Sequence, residues 1–369
     1  VTDRGPYEPL PIMLQNEAVA YVADGADQSL LAEVITDAAV EFIREHKNQP
    51  FFCYVPHSHV HKPRHARPDF MERAEGDVDR ATVEEVDDSV GRILDTIREM
   101  KLDENTLVIF TSDNGGAGGM SMGPLRGGKG GPKFEGHMRV PTVTWWPGSI
   151  AAGIQTDAIA VTTDILPSFA RLTGTKVPDD RTIDGKDALD LLLGTPGAKS
   201  PHDVHYYEVE GIRRGDWKLV KVPIKGKGIH SQLFDLSTDL GEKNNVAKDH
   251  PDLVRELENL LAQHADSIAA ETRPAAFVDN ASPILNEPGD LPTLACRGDA
   301  AFVASAACFE ARASRSPKRF AFSPSSFALG DLSMAAFIQG KFVVAAAAAG
   351  AGEGAGAGAG ALGGGDAFS

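Results

Sequence analysis

The chain has 369 residues, of which 42% are hydrophobic, and a formal net charge of −16 at pH 7. That length and apolar content suffice for a sizeable core, while the acidic balance argues against nucleic acid or an anionic membrane surface as a partner. Three cysteines without paired spacing give no disulfide framework, and no uninterrupted apolar run reaches the about 18 residues of a membrane span.

Residues 1–26, with Pro6, Pro9 and Pro11, read as a loop-rich opening. Over 29–46, Leu30, Leu31, Val34, Ile35, Ala38, Phe42 and Ile43 recur at helical spacing, which predicts an amphipathic helix ending before Pro50. PFFCYVP at 50–56 reads as a buried strand, and HSHVHKPRH follows at once, carrying His57, His59, His61 and His65. A histidine cluster suggests zinc, yet no cysteine lies in a ligand pattern nearby, and HxHxH in extended chain puts alternate rings on one side. One or two of these rings are expected to do chemistry and the others to support or face solvent. A second helix is expected over 81–100, with Val83, Val86, Val90, Ile93, Leu94 and Ile97 inward and the acids outward. It feeds TLVIFT at 106–111, a β-branched run of the kind buried in a parallel sheet.

The most informative stretch is LVIFTSDNGGAGGMSMGPLRGGKGGPKFEG at 107–136. Asp113-Asn114-Gly115 has a plain reading as turn chemistry. Placed just past the carboxyl end of a buried strand, however, Asp113 and Asn114 offer two hard oxygens to Mg²⁺ or Ca²⁺ where open α/β sheets bind ligands. The glycines that follow let the backbone approach a ligand and aim N–H groups at it. Among the cations Arg126, Lys129 and Lys133, the glycine-flanked Lys129 either extends into solvent or reaches an anion. A P-loop is excluded, because neither Ser nor Thr follows Lys129 and no helix starts there.

Further strands are expected at 142–146 and 158–163, and DILPSFARLTG predicts a helix with Asp164 as N-cap and Gly174 as its stop. The alternation implies an α/β fold with a mostly parallel sheet flanked by helices. From about 201, HYYEVEGI, GDWKLVKV and SQLFDLSTD read as short strands, and a helix opens at Pro251. Trp217 reads as core rather than as a substrate contact. The alanine-glycine tract at 345–365 cannot bury enough surface to offset chain entropy. The expected organisation is therefore an α/β unit over 1–200, a small α+β unit over 201–274 and a disordered tail over 275–369.

VEEVDDSVGRIL, TLVIFTSDNGG, PLRGGKG, the FEG-x-x-RVP stretch ending in WWPG, and GDWKL together resemble the sulfatase family, in particular its arylsulfatase A-like branch, within the alkaline phosphatase superfamily. The resemblance covers residues 7–267. It implies that Asp113 and Asn114 ligate a divalent cation, Ca²⁺ or Mg²⁺, and that Lys129 contacts the sulfate and the leaving oxygen. It also implies that His61, two residues before a proline, touches the sulfate ester, with His59 a weaker candidate beside it. The family usually has two glycines after the loop glutamate. Here Gly136 is followed by His137, a titratable ring at the mouth that bears on substrate preference.

The implied activity is hydrolysis of a sulfate monoester on a small molecule or carbohydrate through a formylglycine made from a CxPSR-type cysteine. None of Cys53, Cys296 and Cys308 fits that motif. The family's first strand with its paired aspartates is also missing, and the chain opens on Val1. The sequence is accordingly read as an N-terminally truncated fragment, inactive alone and poorly soluble. The resemblance further implies a secreted, lysosomal or periplasmic protein; oligomeric state is left open. A phosphate-ester hydrolase of the same superfamily and a non-catalytic scaffold are the two competing readings.

Overall fold

A computed structural model describes residues 9–14, 17–116, 119–272 and 340–345. In chain order the elements are β1 (Leu10–Leu14), β2 (Glu17–Val22), α1 (Gly25–Gln28), α2 (Leu31–Glu45), β3 (Cys53–Val55), α3 (Pro68–Arg73), α4 (Val78–Glu99), β4 (Leu107–Ser112), α5 (Glu135–Met138) and β5 (Thr142–Trp145). There follow α6 (Ile165–Leu172), α7 (Leu189–Leu192), β6 (His205–Tyr207), β7 (Gly211–Arg214), β8 (Trp217–Ile224), β9 (Gly228–Asp235), α8 (Pro251–Glu271) and β10 (Gly340–Ala345).

The first large sheet has the order β3-β10-β4-β5, and every hydrogen-bonded neighbour in it is antiparallel. The expected parallel pairing is therefore not found among the described strands. β3 and β4 do run in the same direction, because each pairs antiparallel with β10, which lies between them. Val55 and Phe110 both stand opposite Phe342, so the carboxyl ends of β3 and β4 reach the same sheet edge two strand spacings apart, roughly 10 Å. The apolar run of β4 is explained by cover on both faces. Val108 joins Ile43, Val55, Val86, Ile93 and Ile97 under α2 and α4, while Leu107 and Ile109 pack toward α6 and Leu192.

The second large sheet, β6-β7-β8-β9, is an antiparallel meander. Ile212, Leu219 and Leu233 bury one face against Leu257 and Leu261 of α8. Val220, Phe234 and Leu236 on the other face meet Phe134, which belongs to the loop after β4. Alternation along β8 thus joins the small helix on one side to the glycine-rich loop on the other.

Several expectations need correction. The opening is a ribbon, β1 paired with β2, and Pro11 sits opposite Tyr21 in a two-stranded pair with a register shift at Ile12/Met13; proline is tolerated on such edges. The strand expected at 158–163 does not form. There the carboxylate of Asp164 accepts from the N–H groups of Val161 and Lys186, so a side chain takes the bonds that a neighbouring strand would have taken. Asp164 stands at the N-cap position of α6 without capping it. α4 begins earlier than 81, because Asp77 caps it by accepting from the N–H groups of Asp79 and Arg80. Of the acids expected to face outward on that helix, Glu85 is 3% exposed. Trp217 packs at the margin of the core under α8, its ring 4.8 Å from that of His250. Of the tail, 340–345 form β10; the remainder of that expectation, with Cys296 and Cys308, lies outside the described residues.

Candidate active site

β4 delivers Asp113 and Asn114 to the sheet edge, and the turn is fixed from both sides. Ser112 Oγ donates to the Asn114 carbonyl at 2.9 Å, and the Gly115 N–H donates to the His137 carbonyl at 2.9 Å. The side-chain oxygen of Asn114 is buried without a hydrogen-bond partner. A buried carboxamide oxygen without a donor is costly in a folded protein unless a cation or an ordered group meets it, and beside an aspartate it has the chemistry of a hard-cation ligand. Among the described residues no three of His, Cys, Asp and Glu converge as a metal cluster. What the described residues place at this strand end is the Asp113 and Asn114 pair alone.

The glycines after β4 work differently from the ligand-cradling role that composition suggests. A Cβ on Gly115 would stand 1.8 Å from the Gly136 carbonyl oxygen, one on Gly128 2.7 Å from that of Gly116, and one on Gly136 2.5 Å from that of Arg126. Three stretches of backbone thus close on one another where any side chain would collide. This packing brings the Lys129 backbone beside the turn after β4: its N–H donates to the Gly116 carbonyl at 3.0 Å, two residues beyond Asn114. The Lys129 side chain is exposed and makes no ion pair among the described residues. Lys133, by contrast, is buried and held by Glu208 at 2.9 Å. Arg126 stacks 3.9 Å over Phe134 and donates to the Glu242 carbonyl at 2.6 Å.

His137 is buried, with Nδ1 3.1 Å from the Gly131 carbonyl. Burial, with Lys133 nearby, pushes its pKa below the ordinary imidazole value. As placed, the ring braces the loop from within.

The histidines after β3 divide. His57 Nε2 lies 3.0 Å from Ser89 Oγ, and His59 Nε2 lies 2.9 Å from Glu85 Oε2. Ser89 and Glu85 are four apart on one face of α4, and His57 and His59 are two apart on one side of extended chain, so the two periodicities match. His61 leaves this pattern and is exposed, with Nδ1 2.6 Å from the Lys62 carbonyl. A carbonyl only accepts, so Nδ1 carries the hydrogen and Nε2 is left for a ligand or a proton. Burial pushes the His57 pKa down to about 4, with His59 adding to the shift. His65 packs its ring over Gly25.

The sequence signals none of the buried charges behind the loop. Glu135 Oε1 accepts from Tyr207 Oη at 2.6 Å and Lys218 Nζ at 2.9 Å, and Arg213 lies 3.3 Å from Oε2. Glu135, Lys218 and Glu242 are each fully buried. Burial works against the Glu135 charge, but Lys218, the Tyr207 hydrogen bond and Arg213 together hold its pKa below the usual carboxylate value. Asp164 and His202 form a second buried pair at 2.8 Å.

The solved structures that this fold resembles are sulfatase-like, with the alkaline phosphatase-like fold. A solved structure described under the metabolism of multiple glycosaminoglycans by Bacteroides thetaiotaomicron superposes with a TM-score of 0.59 at 32% identity, covering 65% of this chain and 55% of that one. Ps i-CgsB in complex with k-i-k-neocarrahexaose superposes with a TM-score of 0.56 at 26% identity, covering 68% and 57%.

Residues 6–175 match the family model described as Sulfatase, and residues 133–267 match the one described as N-sulphoglucosamine sulphohydrolase, C-terminal. The chain belongs to the sulfatase family. It is 34% identical over 263 residues to the N-acetylgalactosamine-6-O-sulfatase of Bacteroides thetaiotaomicron, covering 63% of this chain and 50% of that protein. It is also 34% identical over 293 residues to human arylsulfatase A, covering 68% and 57%. The chain thus spans about half the length of the curated relatives it matches. No helix among the described residues is long and apolar enough to cross a membrane.

Proposed function

We propose that this chain carries the metal half-site and the sulfate-binding lysine of a sulfuric ester hydrolase that acts on a sulfated carbohydrate. The observation that carries the reading is the buried, unpartnered Asn114 oxygen beside Asp113, with the Lys129 backbone tied to Gly116 in the same turn. The carbohydrate class is supported by the N-acetylgalactosamine-6-O-sulfatase relative and by the neighbour solved with a neocarrahexaose.

Asp113 and Asn114 would hold a divalent cation, Ca²⁺ or Mg²⁺, which when bound supplies positive charge against the nonbridging sulfate oxygens. Cleavage of a sulfate monoester builds negative charge on the bridging oxygen. The Lys129 amine, at the end of a rigidly packed loop, donates to the sulfate and to that oxygen as its charge grows. His61, whose Nε2 is left open, is the second contact, from the segment after β3, and the buried His59 orients the chain that presents it. His137, buried rather than at the mouth, stiffens the loop that presents Lys129.

The described residues do not fit the formylglycine of the sulfatase mechanism. Cys53 is buried in β3 and its thiol is pushed up to about 11 by burial, which makes it inert. No nucleophilic step is therefore assigned to these residues, and the chain is expected to bind a sulfate ester without completing the covalent route.

Calorimetric titration with inorganic sulfate in the presence of Ca²⁺ tests the reading. Wild type should bind, and Lys129→Ala should weaken binding by roughly 100-fold, the scale of one preorganised contact to an oxyanion, with folding unchanged. Equal sulfate affinity in the two proteins would remove Lys129 from the site.

A further inference from the structure

Lys129 lies on a segment whose two ends are held by a single residue far away in sequence. The Arg126 side chain donates through Nη1 to the Glu242 carbonyl oxygen at 2.6 Å, and the Glu135 N–H donates to Glu242 Oε2 at 2.6 Å. The loop is closed on itself between these points, because the Gly136 N–H donates to the Arg126 carbonyl at 2.8 Å. From there one bond reaches the half-site, through Gly115 to the His137 carbonyl, and another reaches Lys129, through Gly116.

Glu242 is built for this role. It is fully buried and its Oε1 lies 3.0 Å from Lys218 Nζ. Its backbone has φ +51°, the left-handed region that costs a residue with a side chain about 1 kcal/mol or more. A glycine would sit there without strain, yet the position carries a glutamate whose carboxylate and carbonyl both face the loop. The turn is closed locally by the Glu242 N–H to the Asp239 carbonyl and by the Asn244 N–H to Asp239 Oδ2. Strain held by such a frame is a device for fixing geometry.

We propose that Glu242 is a positioning residue for the active site: from the turn after β9 it clamps both ends of the Arg126–Glu135 segment and so fixes where the Lys129 amine stands against the Asp113–Asn114 pair. The proposal rests on the reading of Lys129 as the sulfate contact. It extends that site to a turn more than a hundred residues away in sequence.

Two variants separate the clamp from mere stability. Glu242→Gly keeps the carbonyl that receives Arg126 and relieves the left-handed backbone, but removes the acceptor of the Glu135 N–H. Lys218 retains Glu135 at 2.9 Å, so no buried charge is stranded. Glu242→Gln keeps a neutral acceptor. Hydrogen exchange read by mass spectrometry on the full chain should show peptides spanning 126–137 exchanging roughly tenfold faster in Glu242→Gly, the factor carried by one buried hydrogen bond. Peptides of β8 should stay at the wild-type rate, and Glu242→Gln should stay close to wild type throughout. Unchanged exchange at 126–137, or equal acceleration everywhere, overturns the proposal.

Calorimetric titration with inorganic sulfate on the same proteins supplies the functional arm. Weaker sulfate binding in Glu242→Gly together with faster loop exchange supports positioning. Faster loop exchange in a chain whose wild type binds no sulfate rejects the sulfate reading and leaves the clamp standing. Wild-type sulfate affinity in Glu242→Gly despite a loosened loop rejects the positioning.

Discussion

The segment after β3 is anchored by a helix, whereas the segment after β4 is anchored by another sheet. Both leave the same edge carrying polar residues, and both place some of those residues in the core and others in the open. After β3, His57 and His59 are absorbed by Ser89 and Glu85 on one face of α4, and Arg67 ties Glu85 to Glu33 at 3.0 and 3.1 Å. After β4, Lys133 and Glu135 are absorbed by Glu208 and Lys218 around the β6–β9 sheet, and Arg126, itself exposed, is tied to the Glu242 carbonyl. The groups left exposed, His61 on one side and Asp113 and Lys129 on the other, are the candidates for chemistry. A charged residue near a sulfatase-like site is therefore as readily a strut as a reagent, and burial with a partner separates the two.

The largest effect expected from breaking this arrangement is at Glu135. Glu135→Ala takes from Arg213 its buried carboxylate and leaves Lys218 with Glu242 alone. Breaking such a buried set costs about 3–5 kcal/mol, seen as a lower urea midpoint. Lys129→Ala marks the opposite pole. Its stability should lie within about 0.5 kcal/mol of wild type, and in a form that turns over a sulfate ester kcat should fall about 100-fold or more. A Lys129→Ala enzyme with undiminished kcat would contradict the division between strut and reagent.

A smaller effect tests the helix-anchored side. Glu85→Ala removes the acceptor shared by His59 and Arg67 and should cost about 1–3 kcal/mol, less than Glu135→Ala because Arg67 keeps Glu33. A larger loss at Glu85 than at Glu135 would reverse the comparison.

The smallest expected effect is a slope with pH. His57 and His205 are each pushed from 6.5 down to about 4, chiefly by burial. Unfolded chain protonates near 6.5 and the folded chain only near 4, so this stability is whole above 6.5 and declines as pH falls toward 4. Tm should drop between pH 7 and 5, and His57→Gln should flatten part of that drop. A variant with the wild-type slope would show that His57 already titrates normally in the fold.

Local chemistry made the exposed half of this picture readable in the sequence. Leu107–Ser112 is an apolar run ended by an acid-amide pair, so Asp113 and Asn114 announce their place at a strand end, and the meander β6–β9 shows itself through short runs separated by turns. The buried half could not be read in the same way. Glu135 finds Tyr207, Lys218 and Glu242 only at sequence separations of 72, 83 and 107. Glu85 sits in an acidic stretch that looks like a solvated helix face, and only the folded position of His59 turns it inward. The antiparallel strand between β3 and β4 was hidden for a related reason: Gly340–Ala345 lies far from both partners in sequence. Composition explained the glycines by ligand approach, whereas Gly115, Gly128 and Gly136 are required by backbone packed against backbone.

The proposed grip of Asp113 and Asn114 on a divalent cation decides the rest of the site. Thermal unfolding of the whole chain with increasing Ca²⁺, repeated with Mg²⁺, measures it directly, because a ligand that binds only the folded state raises Tm as its concentration rises above Kd. Wild type should show that rise with one of the two ions, and Asn114→Ala should abolish it while its metal-free Tm stays near the wild-type value. A rise of equal size in Asn114→Ala, or a flat response of wild type to both ions, would show that the pair holds no cation.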